Sequence, residues 1–141
     1  MSRLSPSIPE DSVEVLTAAR PLTHDDHGKI FFLNLAGGFA VTLPALKAGL
    51  VFDFFVKTAP TTAYTVVTSG SANILMGRGA TSNVNAAGAN VDSEVSGGDT
   101  FTFAANKAVI GDHARFVCDG VKWYVTWLTN VVDGATITTA S

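Results

Sequence analysis

The stretch Ala114–Trp127, ARFVCDGVKWYVTW, reads as a β-hairpin with its own turn. Asp119-Gly120 is the residue pair that a two-residue type I′ turn demands, because both central positions need positive φ. Folding about it places Cys118 opposite Val121, Phe116 opposite Trp123 and Ala114 opposite Val125. Those residues and Trp127 then share one apolar face. Arg115, Val117, Lys122, Tyr124 and Thr126 share a mixed one. An apolar face backed by a mixed face is what an antiparallel sheet shows when one side meets a core.

The rest of the chain repeats this grammar. SVEVLTA alternates from Ser12, and GKIFFLN and GFAVTLP follow, joined by Leu35-Ala36-Gly37-Gly38 in what reads as a hairpin connection. In GFAVTLP the residues Phe39, Val41 and Leu43 point one way, and Pro44 ends the strand. Leu50–Lys57, LVFDFFVK, is the most apolar strand: Leu50, Phe52, Phe54 and Val56 make one face, and Val51, Asp53, Phe55 and Lys57 make another that is half apolar. Such a strand is either central in a sandwich or turned toward a subunit interface. AYTVVTS, NILMG and DTFTFAA add short strands, and no segment carries a sustained 3.6-residue period. The pattern predicts an all-β, single-domain antiparallel β-sandwich or jelly-roll-like fold. Its expected bounds are an extended N-terminal arm over 1–11, a domain over 12–132 with a long flexible loop over 77–98, and a polar tail over 133–141.

Composition narrows the function classes. The 141 residues are 47% apolar and only 15% charged, with mean hydropathy +0.30. A free domain ordinarily carries more charge on its surface, so part of this surface is expected to be covered by another subunit or a larger assembly. A net charge of −3 offers no footprint for nucleic acid. MSRLSPSIPED lacks the apolar core of a signal peptide, and no apolar run is long enough for a membrane helix, so no membrane partner is expected. The single cysteine, Cys118, reads as a buried small hydrophobe.

Motifs that could carry chemistry are few. His24-Asp25-Asp26-His27 is the one run of metal-ligand residue types, but four consecutive side chains do not converge on one ion without unusual backbone. It reads as a solvated turn. Gly77-Arg78-Gly79-Ala80-Thr81-Ser82 lacks the lysine and the following helix of a phosphate loop. No serine or cysteine has a positioned base, and nothing selects a carboxylate pair among Asp53, Asp92, Glu94 and Asp99. No enzymatic activity, metal or cofactor is expected. Hairpin parity turns Trp123 and Trp127 inward, leaving Tyr124 beside Arg115 on the outer face.

Taken together, LTHDDHGKIFFLN (22–34), GFAVTLP (38–44), FFVKTAPTTAYTVVTSG (54–70), DTFTF (99–103) and GDHARFVCDGVKWYVTW (111–127) resemble the small β-rich proteins that decorate, or cement, the capsids of tailed bacteriophages. The turn departs from the family pattern at His27, where a small residue is usual. The resemblance implies a non-enzymatic virion protein on the outer capsid surface, made in the host cytoplasm. It further implies a homotrimer that bridges subunits of the major capsid protein against internal pressure. Residues left without a core nominate Arg3, Leu4 and Ile8 of the arm for capsid contact, and Val51 and Phe55 for the subunit interface. The alternative is a receptor- or glycan-binding module of a tail or fibre, using the 77–98 loop and Tyr124.

Overall fold

The computed structural model describes residues 12–82 and 93–139. Its strands are β1 (Val13–Leu16), β2 (Arg20–Pro21), β3 (Ile30–Leu33), β4 (Ala40–Thr42), β5 (Val51–Val56), β6 (Tyr64–Val67), β7 (Leu75–Thr81), β8 (Ser93–Gly98), β9 (Thr100–Phe103), β10 (His113–Cys118), β11 (Trp123–Thr129) and β12 (Ala135–Thr138). They form a seven-stranded sheet, β1-β3-β5-β10-β11-β7-β8, and a five-stranded sheet, β12-β9-β6-β4-β2. The all-β expectation holds, and the two sheets enclose one continuous core, as in a β-sandwich.

The sheets are mixed rather than antiparallel, for a topological reason. From β1 to β7 the chain crosses from one sheet to the other at every connection. Each full turn of this flat coil returns a strand beside its predecessor in the same direction, so β1–β3, β3–β5, β2–β4 and β4–β6 all pair parallel. The Leu35–Gly38 connection is therefore a crossover between sheets and not a hairpin. The β10–β11 hairpin is wedged between β5 and β7, antiparallel to β5 and parallel to β7. Period-2 patterning reports which face is buried but says nothing of strand direction, so this coil was invisible to it.

The hairpin faces are as read, but the register differs by two. Cys118 pairs with Trp123, Phe116 with Val125, Ala114 with Trp127, and Arg115 with Thr126 rather than Tyr124. The cause is Asp119. Its carboxylate accepts the amides of Val121 and Lys122, both at 2.8 Å, and its own amide donates to the Lys122 carbonyl at 3.2 Å. This side-chain cap favours a four-residue loop over the tight turn, with only Gly120 at positive φ (+96°). A shift of two preserves parity, so the core residues stay inside while Val121 moves to the loop and is 66% exposed.

Two further boundaries are corrected. Half of the expected 77–98 loop is strand: β7 and β8 pair antiparallel, with 83–92 outside the described residues. Gly77 and Gly79 hid the continuation of the NILMG strand into β7, because their missing side chains are what its inward face requires. A Cβ on Gly79 would lie 1.9 Å from Trp127 Cε2, and one on Gly77 would lie 2.1 Å from Ile137 Cδ1 and 2.7 Å from Trp127 Cζ3. The indole lies flat on the Gly-Arg-Gly backbone. Likewise the expected tail contains β12, whose Ala135 and Ile137 are buried while it pairs with β9.

Aromatic packing fills the space between the sheets. Phe101 of β9 meets Phe116 and Trp127 of the opposite sheet edge-on, at 5.5 and 5.6 Å between ring centroids, a favoured geometry for ring quadrupoles. Tyr64 of β6 ties the layers with its hydroxyl, which accepts from the Leu35 amide at 2.9 Å and donates to the Thr58 carbonyl at 2.7 Å.

Candidate functional site: the outer face of the seven-stranded sheet

Register pairs place the outward side chains of the seven-stranded sheet in rows across the strands. The first row runs Val15, Phe32, Phe55, His113, Leu128, Ala80 over β1, β3, β5, β10, β11 and β7. The second, two residues along each strand, runs Val13, Ile30, Asp53, Arg115, Thr126, Arg78. The third runs Val51, Val117, Tyr124, Met76. A polar row thus lies between two apolar ones. Phe55 is stacked between Phe32 and His113, at centroid distances of 5.6 and 5.1 Å. Asp53 Oδ1 is 4.0 Å from Arg115 Nε.

The face is unusually apolar for one in contact with solvent. Val13, Val15, Val117, Tyr124 and Leu128 are large apolar side chains left exposed, each between 37% and 47%, and all stand on it. Half-buried Ile30, Phe32, Val51, Phe55 and Met76 fill the spaces between them. The opposite outer surface differs in kind. Across the five-stranded sheet run Thr136, Thr102, Thr65 and Ala40, then Thr138, Thr100, Val67 and Thr42. Threonine hydroxyls are satisfied by water, whereas a contiguous apolar surface marks contact with another macromolecule.

The two interface residues expected from sequence, Val51 and Phe55, both lie on this face, in the outer rows with Asp53 between them. Their companions Val15, Ile30, Phe32, Val117 and Leu128 were missed. The signal was present: IFFL is apolar on both faces, as LVFDFFVK is. Arg3, Leu4 and Ile8 lie outside the described residues.

The remaining polar groups are committed to structure. The HDDH run forms a 3-10 turn in which Asp26 points inward. Its carboxylate accepts from the Thr23 amide at 2.9 Å and meets Arg20 at 3.0 Å and Lys29 at 3.1 Å. Glu14 pairs with the same two cations. Burial would raise both carboxyl pKa values, but the hydrogen bonds and positive charges outweigh it and hold them below the ordinary range. His24 Nε2 lies 2.9 Å from the Ala45 carbonyl, and His27 Nδ1 accepts the Val51 amide at 3.3 Å. Both histidines line a shallow cleft of about 360 Å³ with Lys47. Among the described residues, no three His, Cys, Asp or Glu side chains are grouped to hold a metal, and no helix is long and apolar enough to cross a membrane.

A second cleft, of about 280 Å³, opens at the end of the first row between Ile110, His113 and Leu128. Asp112 lies beneath it, and burial pushes its pKa up. Both its oxygens are engaged, by the amides of Val109 at 2.9 Å and Asn130 at 3.0 Å. It is a staple holding the 109–112 turn to the end of β11. Trp123 and Trp127 are 1% and 6% exposed, so of the tryptophans and tyrosine of the hairpin only Tyr124 faces outward.

Compared with known proteins, the chain matches no family model and no curated relative.

Proposed function

We propose that the protein is a non-enzymatic virion component that decorates the outer capsid of a tailed phage and stabilises it by bridging major capsid protein subunits. The observation that carries the reading is the division of the surface: an apolar sheet face in need of a cover, backed by a threonine-covered face suited to water. An apolar face of this kind is covered by protein in an assembled particle, whereas a threonine-covered face meets the medium. Apolar area withdrawn from water contributes about 25 cal/mol per Å². Repetition of one modest contact over a closed symmetric shell multiplies it through avidity. The motif succession from Leu22 to Trp127 supports the same family of proteins. In this reading Val51 and Phe55 belong to contacts between copies, and Arg3, Leu4 and Ile8 grip the capsid.

The test is binding of purified protein to capsids stripped of it, with and without residues 1–11. The truncated protein is expected to keep its β-type circular dichroism and lose capsid binding. Undiminished binding would refute the arm's role, and no binding by the intact protein would refute decoration.

A further inference from the structure

We infer that the protein pairs with a second copy of itself, face to face across the seven-stranded sheet, about a two-fold axis parallel to the strands between β5 and β10. The inference deepens the proposed function by assigning the symmetry of the contact between copies, and it replaces the three-fold ring implied by the family resemblance.

The argument rests on the register. Such an axis keeps each residue's height along the strands and exchanges left for right. β5 therefore lies over the partner copy's β10, β3 over its β11, and β1 over its β7. In the first row this sets Phe55 against His113, Phe32 against Leu128, and Val15 against Ala80, each an apolar or aromatic match. In the third row Val51 meets Val117. In the middle row Asp53 meets Arg115 and Arg115 meets Asp53, so both charges gain a second opposite charge from the other copy. A single operation thus matches aromatic, aliphatic and charged positions at the centre of the face, with Ile30 against Thr126 and Val13 against Arg78 toward its edge. Moving the axis by half a strand spacing, onto β10 or β5, breaks the match, because it puts Arg115 over Arg115 or Asp53 over Asp53.

The size fits as well. Two rows across six strands and a third across the central two, at about 4.8 Å between strands and about 7 Å between rows, give about 460 Å² of flat footprint. The relief of the side chains brings this toward the roughly 800 Å² that each partner contributes to a standard interface. Two such faces pack in the aligned mode of β-sandwiches, about 10 Å apart. The charges lie within the apolar surround, where complementarity fixes register and like-charge contact is penalised.

Sedimentation equilibrium of the intact chain at about 100 μM protomer is expected to give twice the 14.7 kDa chain mass. Asp53→Arg alone and Arg115→Asp alone each bring like charges together and are expected to raise the dimer dissociation constant at least about 100-fold. The double swap restores alternation and is expected to recover the dimer. Leu128→Glu, at a position 40% exposed in one copy, sets a carboxylate against the partner copy's Phe32 and is expected to give a folded monomer. It also serves where a charge swap fails to fold. A wild-type monomer or trimer, or a double swap no better than the singles, would overturn the pairing. Those masses leave the capsid reading standing, since that falls only with capsid binding and copy number.

Discussion

Gly79→Ala is the sharpest test of how this sandwich closes. The added methyl carbon would lie 1.9 Å from Trp127 Cε2 and Nε1 and 2.3 Å from Cδ2. Carbon atoms ordinarily approach no closer than about 3.5 Å, so the indole or β7 must move by more than 1 Å. The indole has little freedom, being 6% exposed and held edge-on by Phe101. β7 is equally confined, hydrogen-bonded to β11 on one side and β8 on the other. Overpacking of a filled core costs about 1–3 kcal/mol, and with no flexible side-chain end to give way the upper figure applies. For a domain of this size that corresponds to a melting temperature about 10 °C lower. Thermal unfolding followed by circular dichroism and tryptophan fluorescence would measure it. Combining Gly79→Ala with Trp127→Leu should cost less than the sum of the two single changes, because each relieves the other. A Gly79→Ala protein that melts with the wild type, or a strictly additive double variant, would show that the indole does not rest on the Gly-Arg-Gly backbone.

Other outcomes follow from the polar framework. Asp26→Asn should cost about 2 kcal/mol at neutral pH, since Arg20 and Lys29 lose the anion they share. Because folding holds the Asp26 and Glu14 pKa values below the ordinary range, their stabilisation is complete at neutral pH and is lost as pH falls through the folded-state values. Denaturant titrations below about pH 4 should therefore show a shallower loss in Asp26→Asn than in the wild type; equal slopes would contradict the assignment. Tyr64→Phe leaves the Leu35 amide and Thr58 carbonyl unpaired and should cost about 1–2 kcal/mol by urea unfolding. Asp112→Ala frees the amides of Val109 and Asn130 and should cost about 1 kcal/mol, with faster hydrogen exchange at both as its signature.

The sequence was most legible where alternation met a buried face. The inward set Phe52, Phe54, Val56, Phe101, Phe103, Phe116, Trp123 and Trp127 could be read from period 2 alone, and all are in the core. Strand direction could not, because a parallel and an antiparallel strand bury the same alternate residues. β7 was legible only as far as NILMG, because its inward positions 77 and 79 are glycines, which carry no hydropathy signal and gain their meaning only from Trp127 nearly fifty positions away. The hairpin register slipped by two because Asp-Gly is both the signature of a tight turn and, when Asp caps the following amides, of a longer one. Half of the candidate face was legible for a related reason: an apolar outward row is visible in LVFDFFVK, but its extension to Val15, Phe32 and Leu128 exists only once β1, β3 and β11 are placed beside β5 and β10.

The most direct measurement of the capsid role is the copy number of this protein in purified virions, by quantitative mass spectrometry against the major capsid protein. A decoration protein repeated over the shell's symmetry should be present in hundreds of copies, on the order of the capsid subunit itself. A few dozen copies or fewer would place it at the tail, and none would remove it from the particle; either result would contradict the proposed function.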